Sequence, residues 1–167
     1  MTLSMYAASV PALRRMLGNL AGILKKAAAQ AEARKIDPGV LLNSRLFPDM
    51  LPLTKQVQIA SDTAKGLVAR LAGIEVPKFE DDETSFADLQ ARITKTIAFV
   101  DSLRPDQVNG SEGRDITLQI RDKKLELKGQ DFLINRAMPN FYFHVTTAYD
   151  ILRHNGIEIG KSDYLGS

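Results

Sequence analysis

No cysteine occurs anywhere in the 167 residues. Its absence removes a disulfide framework, thiolate zinc sites, a cysteine nucleophile and dithiol redox chemistry. Tryptophan is missing too, and the two histidines, His144 and His154, cap what imidazole can do as base or ligand. A surplus of one charge is lacking: 22 Lys and Arg against 20 Asp and Glu leave a formal +2. That is too mild to point to nucleic acid or an anionic membrane surface. Long hydrophobic runs are lacking as well. Nothing approaches the ~18 uncharged apolar residues of a membrane span. Arg14, Arg15, Lys25 and Lys26 interrupt the N-terminal stretch before it reaches the about 7–15 apolar residues of a secretory signal. The expectation is a cytoplasmic protein with no nucleic-acid and no membrane partner. The length suits a single domain over residues 1–167, and a chain of this size buries roughly 70% of its unfolded surface without staples.

What is present is helical periodicity. Val10, Leu13, Leu17, Leu20, Leu24, Ala27 and Ala31 recur at steps of three and four, the signature of one apolar helix face. Ser9 reads as the N-cap with Pro11 in the first turn, and Asp37-Pro38-Gly39 breaks the helix. A single helical turn fits Val40 to Asn43. A second helix runs from Leu53 through Val57, Ala60, Ala64, Leu67 and Leu71 to a stop at Gly73. The acidic run Glu80-Asp81-Asp82-Glu83 reads as a solvated cluster favouring the N-terminus of a third helix, capped by Thr84 or Ser85. That helix buries Phe86, Leu89, Ile93, Ile97, Val100 and Leu103 before Pro105. Asn109-Gly110-Ser111 reads as a turn rather than a glycosylation site. The period then changes to two around Ile116, Leu118, Ile120 and again around Leu125 and Leu127, which predicts a β-hairpin. A last helical region from about Gln130 to His154 carries Pro139 as a kink or fresh start. Asn155-Gly156 stops it, and residues 160–167 are expected as a tail over the surface. The fold class is therefore all-α, a four-helix bundle with a small β-hairpin before the last helix.

Few residues carry chemistry. Gly156-Ile157-Glu158-Ile159-Gly160-Lys161-Ser162 comes near a phosphate-binding loop, which needs four residues between its glycines and a helix afterwards. Three intervene here, and no following helix is expected. On one helix His144 and His154 would stand about 15 Å apart and roughly 80° around the axis, too far to share a metal. His154 reads as a cation at a helix C-terminus. His144 lies in register with Phe141, Ala148 and Ile151, at the edge of the buried arc. It is either a hydrogen-bonded core histidine or a polar group at the floor of an inter-helix pocket. Tyr142 and Tyr149 read as core packing with polar tips.

Residues 140–156, Asn140-Phe141-Tyr142-Phe143-His144-Val145-Thr146-Thr147-Ala148-Tyr149-Asp150-Ile151-Leu152-Arg153-His154-Asn155-Gly156, resemble the signature of a bacterial and fungal domain family with no assigned reaction. That family is grouped with the DinB/YfiT-like helix bundles. Leu3-Ser4-Met5-Tyr6 and Gln56-Val57-Gln58-Ile59-Ala60-Ser61-Asp62 resemble it as well. The resemblance implies a DinB-like four-helix bundle, commonly a homodimer. It also implies where a metal would sit: metal-binding members place one His on the second helix and His-x-x-x-His on the last. This chain departs from that pattern, with no His on its second helix and Asn140 and Ala148 flanking His144 at four residues. Oxygen ligands such as Asp62 would make a poor nickel or zinc site. The expectation is no metal and no cofactor, with His144, Asn140, Gln58, Asp62 and Tyr149 as ligand-binding residues for an unknown small molecule in a dimer. The alternative is a metal-dependent transferase or hydrolase with altered ligands. Fold likeness alone transfers no chemistry.

Overall fold

A computed structural model describes residues 3–166. Four long helices, α1 (Met5–Ala33), α3 (Leu53–Ala72), α4 (Phe86–Asp101) and α7 (Met138–His154), pack around a continuous apolar core. Shorter helices are α2 (Pro38–Leu42), α5 (Pro105–Val108), α6 (Gly129–Asp131) and α8 (Lys161–Leu165). Strands β1 (Asp115–Ile120) and β2 (Lys123–Lys128) pair antiparallel with Leu118 opposite Leu125, and the hairpin precedes α7 as the period-two pattern predicts. Its Ile116 enters the core, with Leu118 and Leu127 packed against it. Gly129 is needed where β2 turns back towards the core, because a Cβ there would lie 1.9 Å from the Ser111 carbonyl oxygen.

Helix α1 begins one turn earlier than the sequence suggests. Ser4, not Ser9, is its N-cap, with Oγ accepting from the Ala7 N–H at 3.2 Å. Pro11 is inside the helix. The carbonyl that its missing N–H leaves unpaired belongs to Ala7, which is exposed to water, so the usual penalty for an internal proline is relieved. Ser9 is buried and returns its hydroxyl to the Met5 carbonyl at 2.7 Å.

The other ends follow the sequence closely. Gly73 closes α3 with φ +69°, the left-handed cap that glycine alone adopts without strain. Ser85 caps α4 by accepting from the Asp88 N–H, and Asp88 accepts in return from the Thr84 N–H at 3.0 Å. The expected tail is instead docked on α1 through α8. Asn19 donates to the Tyr164 carbonyl at 2.8 Å, and Lys26 meets Asp163. The five-residue α8 supplies a helix after the near-miss phosphate loop, but Asp163 accepts the Gly160 N–H at 2.8 Å. A protein carboxylate thus stands where an anion would.

The kink expected at Pro139 is a widening. Residues Phe132–Ala137 form a π-helical segment that runs directly into α7, and the Met138 N–H reaches back five residues to the Leu133 carbonyl. In a regular helix the Pro139 ring would meet the carbonyl of residue 135; the wider turns before it avoid that clash.

Lys35, just past α1, holds φ +54° while the Ile36 N–H bonds the Ala31 carbonyl. That is the glycine position of a helix C-terminus occupied by a side chain. Lys35→Gly is expected to stabilise the fold by about 0.5–1 kcal/mol, a rise in Tm of about 1–4 °C by calorimetry. An unchanged or lower Tm would contradict the strain.

Candidate functional site

Helices α3 and α7 form the most extensive helix–helix contact, and the residues read as site candidates lie along or near it. His144 is 9% exposed, and its Nδ1 lies 2.6 Å from Gln56 Oε1. Gln56 in turn donates its amide to the Leu51 carbonyl at 2.8 Å. The Phe143 ring stands edge-on to the imidazole at 5.2 Å between centroids. His144 is thus a core histidine held by a neighbour, one of the two readings open from sequence. The partner was missed; Gln56 sits three residues after Leu53 and four before Ala60, a polar residue on the apolar arc, and that was its signal.

One turn before His144, Asn140 donates from Nδ2 to Thr63 Oγ1 at 2.9 Å. This pair stands at an open cleft of about 240 Å³ between α3, β1 and the π-helical segment. From α3 come Asp62, Thr63 and Arg70, and from β1 Leu118 and Ile120. Phe132, Arg136 and Ala137 of the π-helical segment complete the wall. Asn140 and Asp62 are therefore brought together at one cleft, whereas His144 does not line it.

Gln58 points elsewhere. Its amide donates to Glu83 Oε2 at 2.7 Å, and Glu83 Oε1 receives Arg92 Nη1 at 2.8 Å. The Arg92 side chain is 2% exposed and also reaches Asp62 Oδ1 at 2.8 Å, Asp81 Oδ1 at 3.1 Å and the Glu80 carbonyl. Lys65 joins Asp62 Oδ1 at 3.0 Å. Two members of the acidic run, Asp81 and Glu83, are therefore counter-charges of a buried guanidinium; the Glu83 side chain is withdrawn from water with it, whereas Asp81 stays exposed as the sequence suggests. Burial alone would raise the Glu83 pKa, yet hydrogen bonds from Arg92 and Gln58 hold it below the ordinary carboxylate value. The sequence signal was Arg92 itself, a cation beside Ile93 and three residues after Leu89 on the buried face of α4. Tyr149 is remote from these groups: it packs edge-on to Tyr164 of α8 at 6.0 Å.

The donor set does not fit a resident transition metal. Among the described residues no three His, Cys, Asp or Glu side chains stand close enough to hold an ion. One nitrogen of the imidazole is engaged by Gln56, and the facing residues of α3 offer an amide and a hydroxyl, weak ligands for nickel or zinc.

A helical bundle with a hairpin before its last long helix is the class this geometry defines. Residues 5–165 match the family described as domain of unknown function DUF1993, and the chain belongs to that DinB-like family. It is 45% identical to a DinB family member protein from Shewanella denitrificans, whose crystal structure superposes with a TM-score of 0.87 over 97% of this chain and 92% of that one. No curated protein matches the chain. Among the described residues, no helix is long and apolar enough to cross a membrane.

Burial lowers the His144 pKa below its ordinary 6.5. The unfolded chain therefore takes up a proton before the folded one does, so the contribution to stability is full above about pH 6.5 and declines below it. Tm is expected to fall between pH 7.5 and 5.5 in the parent and to fall less in His144→Gln; equal slopes would clear His144 of the effect. His144→Ala leaves Gln56 Oε1 unpaired and is expected to lower stability by about 1–3 kcal/mol at pH 7.5.

Proposed function

We propose that the chain is a metal-free small-molecule-binding protein whose site is the cleft at Asn140, one helical turn from His144. The observation that carries this reading is the lining of the cleft. His144 and Gln56 bond each other outside it, while the hydrogen-bonded Asn140–Thr63 pair and Arg70 line it beside apolar wall from Phe132 and Ala137. Concavity, apolar surface and a few convergent polar groups are what a small-ligand site needs. The rival reading, a metal-dependent transferase or hydrolase with altered ligands, requires an ion that these donors hold poorly.

Two measurements on untagged protein decide between them. Metal analysis is expected to give well below one equivalent of nickel, zinc, iron or manganese. A fragment screen read by amide NMR shifts is expected to move Thr63, Phe132 and Asn140, and Asn140→Leu to abolish those shifts. Stoichiometric metal would favour the enzyme, and shifts gathered at His144 instead would relocate the site.

Self-association is a second reading, supported by a separate surface. Phe143 is 55% exposed, Leu51 45% and Phe47 62%. Phe143 and Leu51 flank the His144–Gln56 bond, and exposed apolar side chains gathered in this way mark interaction sites. Sedimentation equilibrium is expected to give twice the chain mass for the parent and the chain mass for Phe143→Ser. A monomeric parent would dismiss the dimer without touching the ligand site.

A further inference from the structure

We propose that the cleft selects a small carboxylic acid with an apolar body, its carboxylate held by Arg70 and Arg136 and its body against Leu118, Phe132 and Ala137. The inference rests on the cleft being the ligand site and adds the chemical class.

The charge balance at the cleft is the first support. Its ionisable residues are Arg70, Arg136 and Asp62. Asp62 Oδ1 already receives Arg92 at 2.8 Å and Lys65 at 3.0 Å, so its negative charge is met by two cations that do not line the cleft. The arginines have no such counterpart. Half-buried Arg70 donates from Nη1 to the Gly66 carbonyl of its own helix at 3.0 Å. Neither it nor exposed Arg136 has a carboxylate partner among the described residues. A half-buried guanidinium whose planar fork bonds a single neutral acceptor is suited to a bidentate anion.

Second is the backbone that presents the wall. Phe132, Arg136 and Ala137 stand four and five residues apart. At ~100° per residue a regular α-helix would turn residue 137 about 140° away from residue 132. The π-helical turns bring all three to one side, and such widenings recur at functional sites. Gly66 supplies the third support, since a Cβ there would lie 2.4 Å from Arg70 Nη1. Glycine leaves room for the guanidinium to lie back along α3 on the Gly66 carbonyl. At about 240 Å³ the space suits a small acid rather than a nucleotide.

The test titrates the full-length protein with phenylacetate, octanoate, benzyl alcohol and inorganic phosphate, following NMR shifts at residues 63, 118, 132 and 140. The two carboxylates are expected to bind at least tenfold tighter than benzyl alcohol and than phosphate. Arg70→Gln and Arg136→Gln are each expected to remove at least that tenfold preference for carboxylate while leaving benzyl alcohol binding and Tm unchanged, and Arg70→Lys to restore part of it. Equal binding of carboxylate and alcohol in the parent would overturn the anion selection and leave the cleft as a ligand site. Phosphate binding as tightly as octanoate would overturn the apolar half. Shifts with none of the four probes, together with an empty fragment screen, would overturn the cleft itself.

Discussion

The seam between α3 and α7 is where burial and polarity conflict, and the rest of the molecule is arranged around its resolution. Each helix brings an imidazole, amide or hydroxyl to a contact otherwise made of Val57, Ala60, Ala64, Phe141 and Val145. Such groups cannot be left dry without a partner. The pairs His144–Gln56 and Asn140–Thr63 answer the demand directly, side chain to side chain. They also fix the register of the two helices, because a slip by one residue would separate both pairs. Beyond Asn140 the seam continues into the π-helical segment, whose Phe132, Leu133 and Ala137 are buried in the same core. The cleft opens where that segment, α3 and β1 meet.

A buried charge on α4 engages the one carboxylate that lines the cleft. Arg92 on α4 draws Asp62 from α3 and Asp81 and Glu83 from the connector after α3 into one cluster. Phe79 of the same connector lies within 4.6 Å of Lys65 Nζ and 4.1 Å of Lys95 Nζ, measured to the ring centroid, so the segment is held by cation–π contact as well. Arg92 and Glu83 are the cluster's buried members, and removing either leaves the other uncompensated. The connector is therefore tied to the helices it joins, and the Asp62 carboxylate is committed away from Arg70. Electrostatics at the proposed ligand site thus depend on a guanidinium that does not line it.

Periodic elements were legible in the sequence because their signals are local. The four-three rhythm of α3 with Gly73 at its end, the Ser85 cap of α4 and the alternation of the hairpin each need only neighbours along the chain. What escaped depends on partners distant in sequence or on exposure. Pro11 looked like a first-turn residue because its harmlessness inside α1 rests on Ala7 facing water. The acidic run looked solvated because Arg92, its counter-charge, lies nine or more residues further on. The docking of α8 on α1 spans well over a hundred positions, from Asn19 to Tyr164. Among the site residues, Asn140 and Asp62 were placed at a common cleft, but Gln58 and Tyr149 were drawn to other neighbours, and Gln56 and Arg70 were passed over. Both carried the same overlooked signal, a polar or charged side chain within an otherwise apolar helical arc.

The same seam bears on the metal that DinB-like relatives are expected to carry. Structural zinc contributes on the order of 10–16 kcal/mol in zinc-finger peptides, whereas a side-chain hydrogen bond contributes about 1 kcal/mol. Replacing ligation by amide and hydroxyl pairs is tolerable only where apolar packing already holds the helices together. Here it does: α7 buries Phe141, Val145, Ala148, Ile151 and Leu152, and α8 clasps α1 with Ile157 and Ile159 buried behind it. A bundle stabilised this way is released from keeping a set of nitrogen ligands at its seam. Under the proposed function its polar residues are then free to serve an organic ligand, and Arg70 and Arg136, which have no carboxylate partner among the described residues, are where that role would begin.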